Sequence, residues 1–220
     1  MNAAIRKLTL FGALTGCLTT AVAQSAVAQE DDGPPEGWVV RTDSGGHGAT
    51  DGLEFTEMKP GFHITTGPAG IFYHPAQRAD GTYSVEAEIF LFDPGNRREG
   101  FGLLLGGTEL DGDGQAYTYF LIRRDGKYLV KTRAGSETAT IQAWTDHAAI
   151  TTWEDRGEGQ ATAKYVLAVK VGDSDVTFMV NEEEVARIPR DGLSTDGVAG
   201  LRINHGLNVH VTRLDVTAGG

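Results

Sequence analysis

Tyr83-Ser84-Val85-Glu86-Ala87-Glu88-Ile89-Phe90-Leu91 alternates without a slip, with Tyr83, Val85, Ala87, Ile89 and Leu91 on one side and Ser84, Glu86 and Glu88 on the other. Side chains of a β-strand point to opposite faces in turn, so this run predicts a strand with one face buried and one in water. Working outward, Phe101 to Leu105 reads as a short apolar strand. Tyr117 to Arg124 and Lys127 to Arg133 then flank Asp125-Gly126, the pair favoured in a two-residue type I′ hairpin turn. Tyr165 to Val171 and Val176 to Val180 repeat the arrangement around Gly172-Asp173-Ser174-Asp175, and Asn181-Glu182 turns the chain into Val185 to Ile188. Val198 to Ile203 and Leu207 to Val216 complete the set. The inward parity of the last changes between Val211 and Leu214, which predicts a β-bulge.

After Ala28 no apolar stripe of helical period persists for several turns, so no long helix is expected. Many short strands with glycine-rich turns predict an all-β, two-sheet antiparallel jelly-roll sandwich. The segment 151–163, with Trp153 inside it, is polar and glycine-bearing and reads as a long exposed loop.

The N-terminus reads as an export signal spanning residues 1–28. Arg6 and Lys7 form a basic start, Leu8 to Ala23 is uncharged and apolar or small, and Ala26-Val27-Ala28 is a small-x-small cleavage site. Residues 29–36 form an acidic, proline- and glycine-bearing linker, and residues 37–220 form a single β-sandwich domain. A second reading of the same segment stands beside the first. Leu14-Thr15-Gly16-Cys17 has the form of a lipobox, which would make Cys17 a lipid anchor and the protein a membrane-tethered lipoprotein. Both readings place the domain outside the cytoplasm, periplasmic or secreted, and neither inserts the mature domain into a membrane.

The 220-residue chain carries 19 basic and 30 acidic residues, a net charge of −11. Such a balance argues against nucleic acid as the partner. Cys17 is the sole cysteine, so the domain has no disulfide framework and no thiolate metal site. About 190 residues remain after the signal, enough for one domain with an ordinary core.

Gly61-Phe62-His63-Ile64, Tyr83 through Phe90, Phe101 through Gly107, Tyr117 through Tyr128 and Val198 through Ile203 together resemble the concanavalin A-like lectin/glucanase superfamily. More closely they are similar to its exported 3-keto-disaccharide hydrolase (DUF1080) branch. The resemblance covers most of the chain after Gly37. It implies two stacked antiparallel sheets, one with a concave face that binds or cuts sugars in many members, and it is more specific for fold than for activity.

The candidate residues follow from residue type and position. Glu86 and Glu88 share one strand face with Cα atoms ~6.5 to 7 Å apart, not far from the separations that glycosidase acid and base pairs use, and a solvated strand face explains them equally. With a two-residue turn at Asp125-Gly126, Phe120 pairs with Lys131 and Thr118 with Arg133, and Tyr119, Leu121, Tyr128 and Val130 crowd the other side. Phe120 beside Lys131 and Arg133 would offer a sugar an apolar surface and charged donors. Trp144, in a polar setting, is a candidate stacking platform, and Asn204 and His205 lie near the last strands within reach of a groove. Asp111-Gly112-Asp113-Gly114 opens like a calcium loop, but the twelfth position counted from Asp111 is Ile122 where an EF-hand needs glutamate. Asp111 and Asp113 therefore stand only as candidates for a structural calcium of another kind, and no other cofactor is expected.

Three functions are compatible with these residues. The first is an exported carbohydrate-binding domain recognising a glycan or glycoside on its concave sheet. The second is a glycoside hydrolase or keto-sugar lyase using Glu86 and Glu88. The third is a non-catalytic envelope or adhesion module.

Overall fold

A computed structural model describes residues 33–43, 46–47 and 52–219; the export segment and Cys17 lie outside the described residues. The described chain is built from strands and turns: β1 (Val39–Thr42), β2 (Gly46–His47), β3 (Glu54–Glu57), β4 (Phe62–Thr65), β5 (Gly70–Ala79), β6 (Tyr83–Leu91), β7 (Gly100–Thr108) and β8 (Ala116–Arg123), then β9 (Lys127–Ala134), β10 (Glu137–Asp146), β11 (Ala163–Val171), β12 (Asp175–Val180), β13 (Glu183–Pro189), β14 (Gly197–Ile203) and β15 (Asn208–Ala218). They form two sheets, one of eight strands in the order β10-β9-β8-β7-β14-β5-β1-β2 and one of seven in the order β13-β12-β11-β6-β15-β4-β3. All pairings are antiparallel. Jumps such as β7 to β14 and β6 to β15 make the arrangement a jelly roll.

The alternation in β6 does what it predicts. Tyr83, Val85, Ala87, Ile89 and Leu91 are buried between the sheets, where they join Phe101, Leu103 and Leu105 of β7 and Leu201 and Ile203 of β14. Rings interlock across the layers, Phe101 against Tyr165 at 5.7 Å and Phe120 against Phe178 at 5.2 Å between centroids. The bulge expected in the last strand is present, as a register shift between Val211 and Arg213 against β6.

Two expectations need correction. The turn between β8 and β9 holds three residues rather than two: Arg123 pairs with Lys127, and Gly126 takes a φ of 79°. A three-residue loop ending in a left-handed glycine uses the same Asp-Gly letters as a two-residue turn but shifts the register by one. Phe120 thus faces Val130, and Lys131 faces Tyr119. The two-residue turn with positive φ at both positions occurs instead at Asn181 (51°) and Glu182 (71°), between β12 and β13.

The segment 151–163 is also less exposed than its polarity predicts. Trp153 is buried in the main core, with the Arg156 guanidinium 4.0 Å from its ring centroid. The Tyr165 hydroxyl donates to the Thr151 carbonyl at 2.8 Å, and the Trp153 amide to the Arg124 carbonyl at 2.8 Å. One indole and a few backbone bonds pin a loop most of whose other residues are exposed.

Candidate functional site

The outer face of the eight-stranded sheet carries a second apolar cluster, distinct from the core. Ile71 and Tyr73 of β5, Leu104 of β7, Tyr117, Tyr119 and Leu121 of β8, Leu129 of β9 and Val198 of β14 are all buried there. Strand alternation explains this. In β8 both faces are apolar, so Thr118, Phe120 and Ile122 go inward and Tyr117, Tyr119 and Leu121 go outward.

This face is concave. Arg133 on β9 and Asp43 just after β1 form an ion pair at 3.5 Å, although β9 and β1 lie five strand steps apart in the sheet. Five steps on a flat sheet would span about 24 Å, far more than the two side chains reach together. The sheet must curl to bring its two sides together over β8, β7, β14 and β5.

Glycines clear the middle of the trough. On the outer side of β7, a Cβ on Gly100 would lie 2.9 Å from Cη2 of Trp144, and one on Gly102 would lie 2.2 Å from the Phe120 carbonyl oxygen. Trp144 therefore folds inward from the edge strand β10 over Gly100, and the Arg123 guanidinium stacks 4.5 Å from its ring centroid. Arg123 is held in turn by Asp125, its Nε donating to Oδ1 at 2.6 Å.

The floor is fixed by a buried charge. Arg202 points outward from the central strand β14 and is only 7% exposed. Its Nη1 donates to Asp43 Oδ1 at 2.7 Å and its Nη2 to Asp43 Oδ2, while Nε donates to Asn204 Oδ1 at 3.2 Å. The Tyr117 hydroxyl lies 3.4 Å from Nη1, and the Tyr119 ring centroid lies 5.8 Å from the guanidinium carbon. Burial alone would favour the neutral arginine, but the Asp43 hydrogen bonds outweigh it and the guanidinium stays firmly protonated. Burial likewise pushes the Asp43 carboxyl up, and the Arg202 hydrogen bonds, with Arg202 and Arg133 charge, bring it net below the usual carboxylate range. Burial raises the Tyr117 and Tyr119 hydroxyls, so both stay neutral, and that of Tyr117 accepts from Arg202 Nη1.

Between this floor and β10 lies a cleft of about 390 Å³, lined by Tyr119, Lys131, Thr140, Trp144, Arg202 and Asn204 above Leu121 and Leu129. An indole, an ammonium, a hydroxyl and an amide converge there over an apolar base. Such a mix fits a small polar molecule with one apolar face.

Lys131, Trp144 and Asn204 thus meet in one cleft. Arg133 lies on the same face, tied to Asp43 and donating through Nε to the Gly135 carbonyl at 2.9 Å. Phe120 does not belong with them: it is wholly buried in the core, because the three-residue turn gives its expected place to Tyr119. His205 is exposed, 3.8 Å from Glu99. Glu86 and Glu88 lie on the outer face of the other sheet, where Arg213 bonds Glu86 and Lys164 bonds Glu88 at 2.6 Å, with the Thr212 hydroxyl donating to Glu88 at 2.8 Å. The Lys164 and Thr212 hydrogen bonds hold the Glu88 carboxyl below its ordinary value. Asp111 and Asp113 are exposed between β7 and β8, and no group of three metal-ligating side chains occurs among the described residues.

Arg202, Asp43, Tyr117 and Tyr119 were not singled out by sequence reasoning. For Arg202 a signal existed: an arginine inside Val198-Ala199-Gly200-Leu201-Arg202-Ile203, apolar on both parities, marks a buried charge that needs a partner. Asp43 lies 159 residues away, and nothing local ties it to Arg202.

No protein-family model matches the chain, and no curated protein matches it. Solved structures do match in shape. A carbohydrate-binding module, CBM66, from Bacillus subtilis aligns with a TM-score of 0.59 at 12% identity, over 83% of this chain and 96% of that one. A protein of unknown function with a galectin-like fold, also from Bacillus subtilis, aligns with a TM-score of 0.57 at 11% identity, over 82% and 89% of the two chains. A mixed-linkage glucan GH16 protein of Bacteroides ovatus aligns with a TM-score of 0.53 at 8% identity, over 81% and 94%. At these identities the likeness is one of fold, an all-β jelly-roll sandwich of two antiparallel sheets.

Proposed function

We propose that this chain is an exported carbohydrate-binding domain whose ligand lies in the cleft between Trp144 and Arg202. The observation that carries the reading is the half-exposed Trp144 indole, held over Gly100 by Arg123 and facing the polar groups of Lys131, Thr140 and Asn204. A sugar ring has an apolar face that stacks on an indole and a rim of hydroxyls that such donors and acceptors meet. Two proteins of the same fold are a carbohydrate-binding module and a GH16 protein in complex with its product, which supports a sugar as the ligand. The export signal read at residues 1–28 is consistent with a glycan met outside the cytoplasm.

Binding is favoured over hydrolysis by the state of the carboxylates. Asp43 lies between Arg202 and Arg133 and is held ionised, so it is a poor proton donor. Glu86 and Glu88 are engaged by cations on the opposite sheet.

A glycan array followed by titration calorimetry on the mature domain and the Trp144→Ala variant tests the proposal. The variant is expected to bind at least about tenfold more weakly, a loss of about 1.4 kcal/mol, while its unfolding transition stays cooperative. If the intact domain binds no glycan, or the variant binds as well as the parent, the proposal fails.

A further inference from the structure

The chain is acidic, with a net charge of −11, yet cations gather around the cleft on the concave face. Besides Arg78, and Lys127 bonded to Asp146, its cations are Arg41, Arg123, Lys131, Arg133 and Arg202. Arg123 is answered by Asp125, and Arg41 donates to the Leu110 carbonyl at 3.2 Å. Arg133 and Arg202 share a single carboxylate, Asp43, which leaves one positive charge over. Lys131 is partly buried in the cleft opposite Tyr119 of β8 and Thr140 of β10, neither of them acidic. Among the described residues no carboxylate lies within ion-pair distance of its ammonium. A partly buried lysine with no counter-charge in the protein leaves its ammonium available to an anion from outside.

The other sheet shows that this sequence can close such charges, since Lys164 and Arg213 are each neutralised by a glutamate on the adjacent strand. The surplus on the concave face is concentrated where Trp144 stands. We propose, resting on the reading of the cleft as a sugar site, that the ligand is an acidic glycan, whose anionic substituent is met by Lys131 and by the guanidinium of Arg133 while a ring stacks on Trp144. A carboxylate or a sulfate ester would satisfy the same two cations, the first bidentately at the arginine fork.

The test is calorimetry of the mature chain against matched polymers: polygalacturonate and its carboxyl-reduced form, dextran sulfate and dextran, with polyglutamate as a sugar-free polyanion. Affinity for one of the two acidic polysaccharides is expected to exceed that for its neutral counterpart at least about tenfold and to weaken with added salt. Which pair shows the difference separates uronate from sulfate. Lys131→Gln should remove most of that preference without lowering the unfolding temperature, and Lys131→Arg should restore it. Equal affinity for the acidic and neutral forms would overturn the acidic ligand while leaving the sugar site standing. Polyglutamate bound as tightly as the acidic polysaccharides would reduce the face to a general polyanion surface and also overturn it. Binding of none of these polymers, together with a blank glycan array, would remove both readings.

Discussion

The outer faces of the two sheets obey the same alternation and end in opposite states. On the seven-stranded sheet, Glu86 and Glu88 leave β6 outward and meet cations diagonally placed on the neighbouring strands, Arg213 of β15 and Lys164 of β11. Cross-strand pairs of this kind satisfy themselves and leave little for a ligand. On the eight-stranded sheet the outward positions hold tyrosines, leucines, glycines and cations, with Asp43 shared by two of the arginines and Asp125 and Asp146 taking one cation each. Outward alternation alone therefore does not distinguish a self-satisfied face from one with polar groups to spare; the balance of partners across neighbouring strands does.

Breaking the one strong pair on the concave face should have the largest effect. Arg202→Leu removes the partner of Asp43, Asn204 and Tyr117 from the cleft floor. We expect a loss of about 2 kcal/mol in chemical denaturation, kept from being larger because Asp43 is 33% exposed, and glycan binding should be lost with it. A folded variant of unchanged stability would mean that the floor does not depend on this pair.

A smaller effect tests whether the seven-stranded face is as fully satisfied as its glutamates imply. His63 of β4 sits opposite His210 of β15 with ring centroids 6.1 Å apart, and the Nδ1 atoms of both are buried without a partner. Burial first, then the His210 charge, lowers the His63 pKa, and Glu54 opposes them. The unfolded chain then binds the extra proton more readily, so stability is present above the unfolded value of about 6.5 and is lost as pH falls below it. The midpoint of thermal unfolding should decline on mild acidification, and His63→Gln should flatten that slope; an unchanged slope would place the pH sensitivity elsewhere.

The smallest effect is expected at Glu88. Glu88→Gln should change stability by less than about 1 kcal/mol and leave glycan binding unaltered. A large loss of binding would put the ligand on the wrong sheet and undo the contrast between the faces.

Much of this was legible in the residues. The strict pattern of β6 fixed its inward set because only one parity is apolar, and the parity change after Val211 announced the bulge in β15. Lys131 and Arg133 could be placed outward because β9 alternates clearly at that end. Strand β8 could not be resolved the same way. Residues 117–122 are buried on both parities, so turn length alone sets which aromatic faces the cleft, and Asp125-Gly126 is compatible with either length. Strand β10 was missed because it is an edge strand with hardly a buried residue and therefore has no inward set to betray it. The Arg202–Asp43 pair was out of reach for a different reason: it joins segments brought together only by the order of strands in the sheet.

Strand β10 pairs with β9 through two register shifts, between Thr140 and Gln142 and between Gln142 and Thr145. The second of these slips contains Trp144, so the indole's aim is set by local irregularity rather than by the period of the sheet. Because β10 gives no residue to the buried core, a gained or lost residue there would swing the indole without changing the parity of any core strand. The rim of the cleft is thus free to diversify while the scaffold beneath it is conserved, and related sequences should differ in ligand preference most readily through changes in length between Thr140 and Thr145.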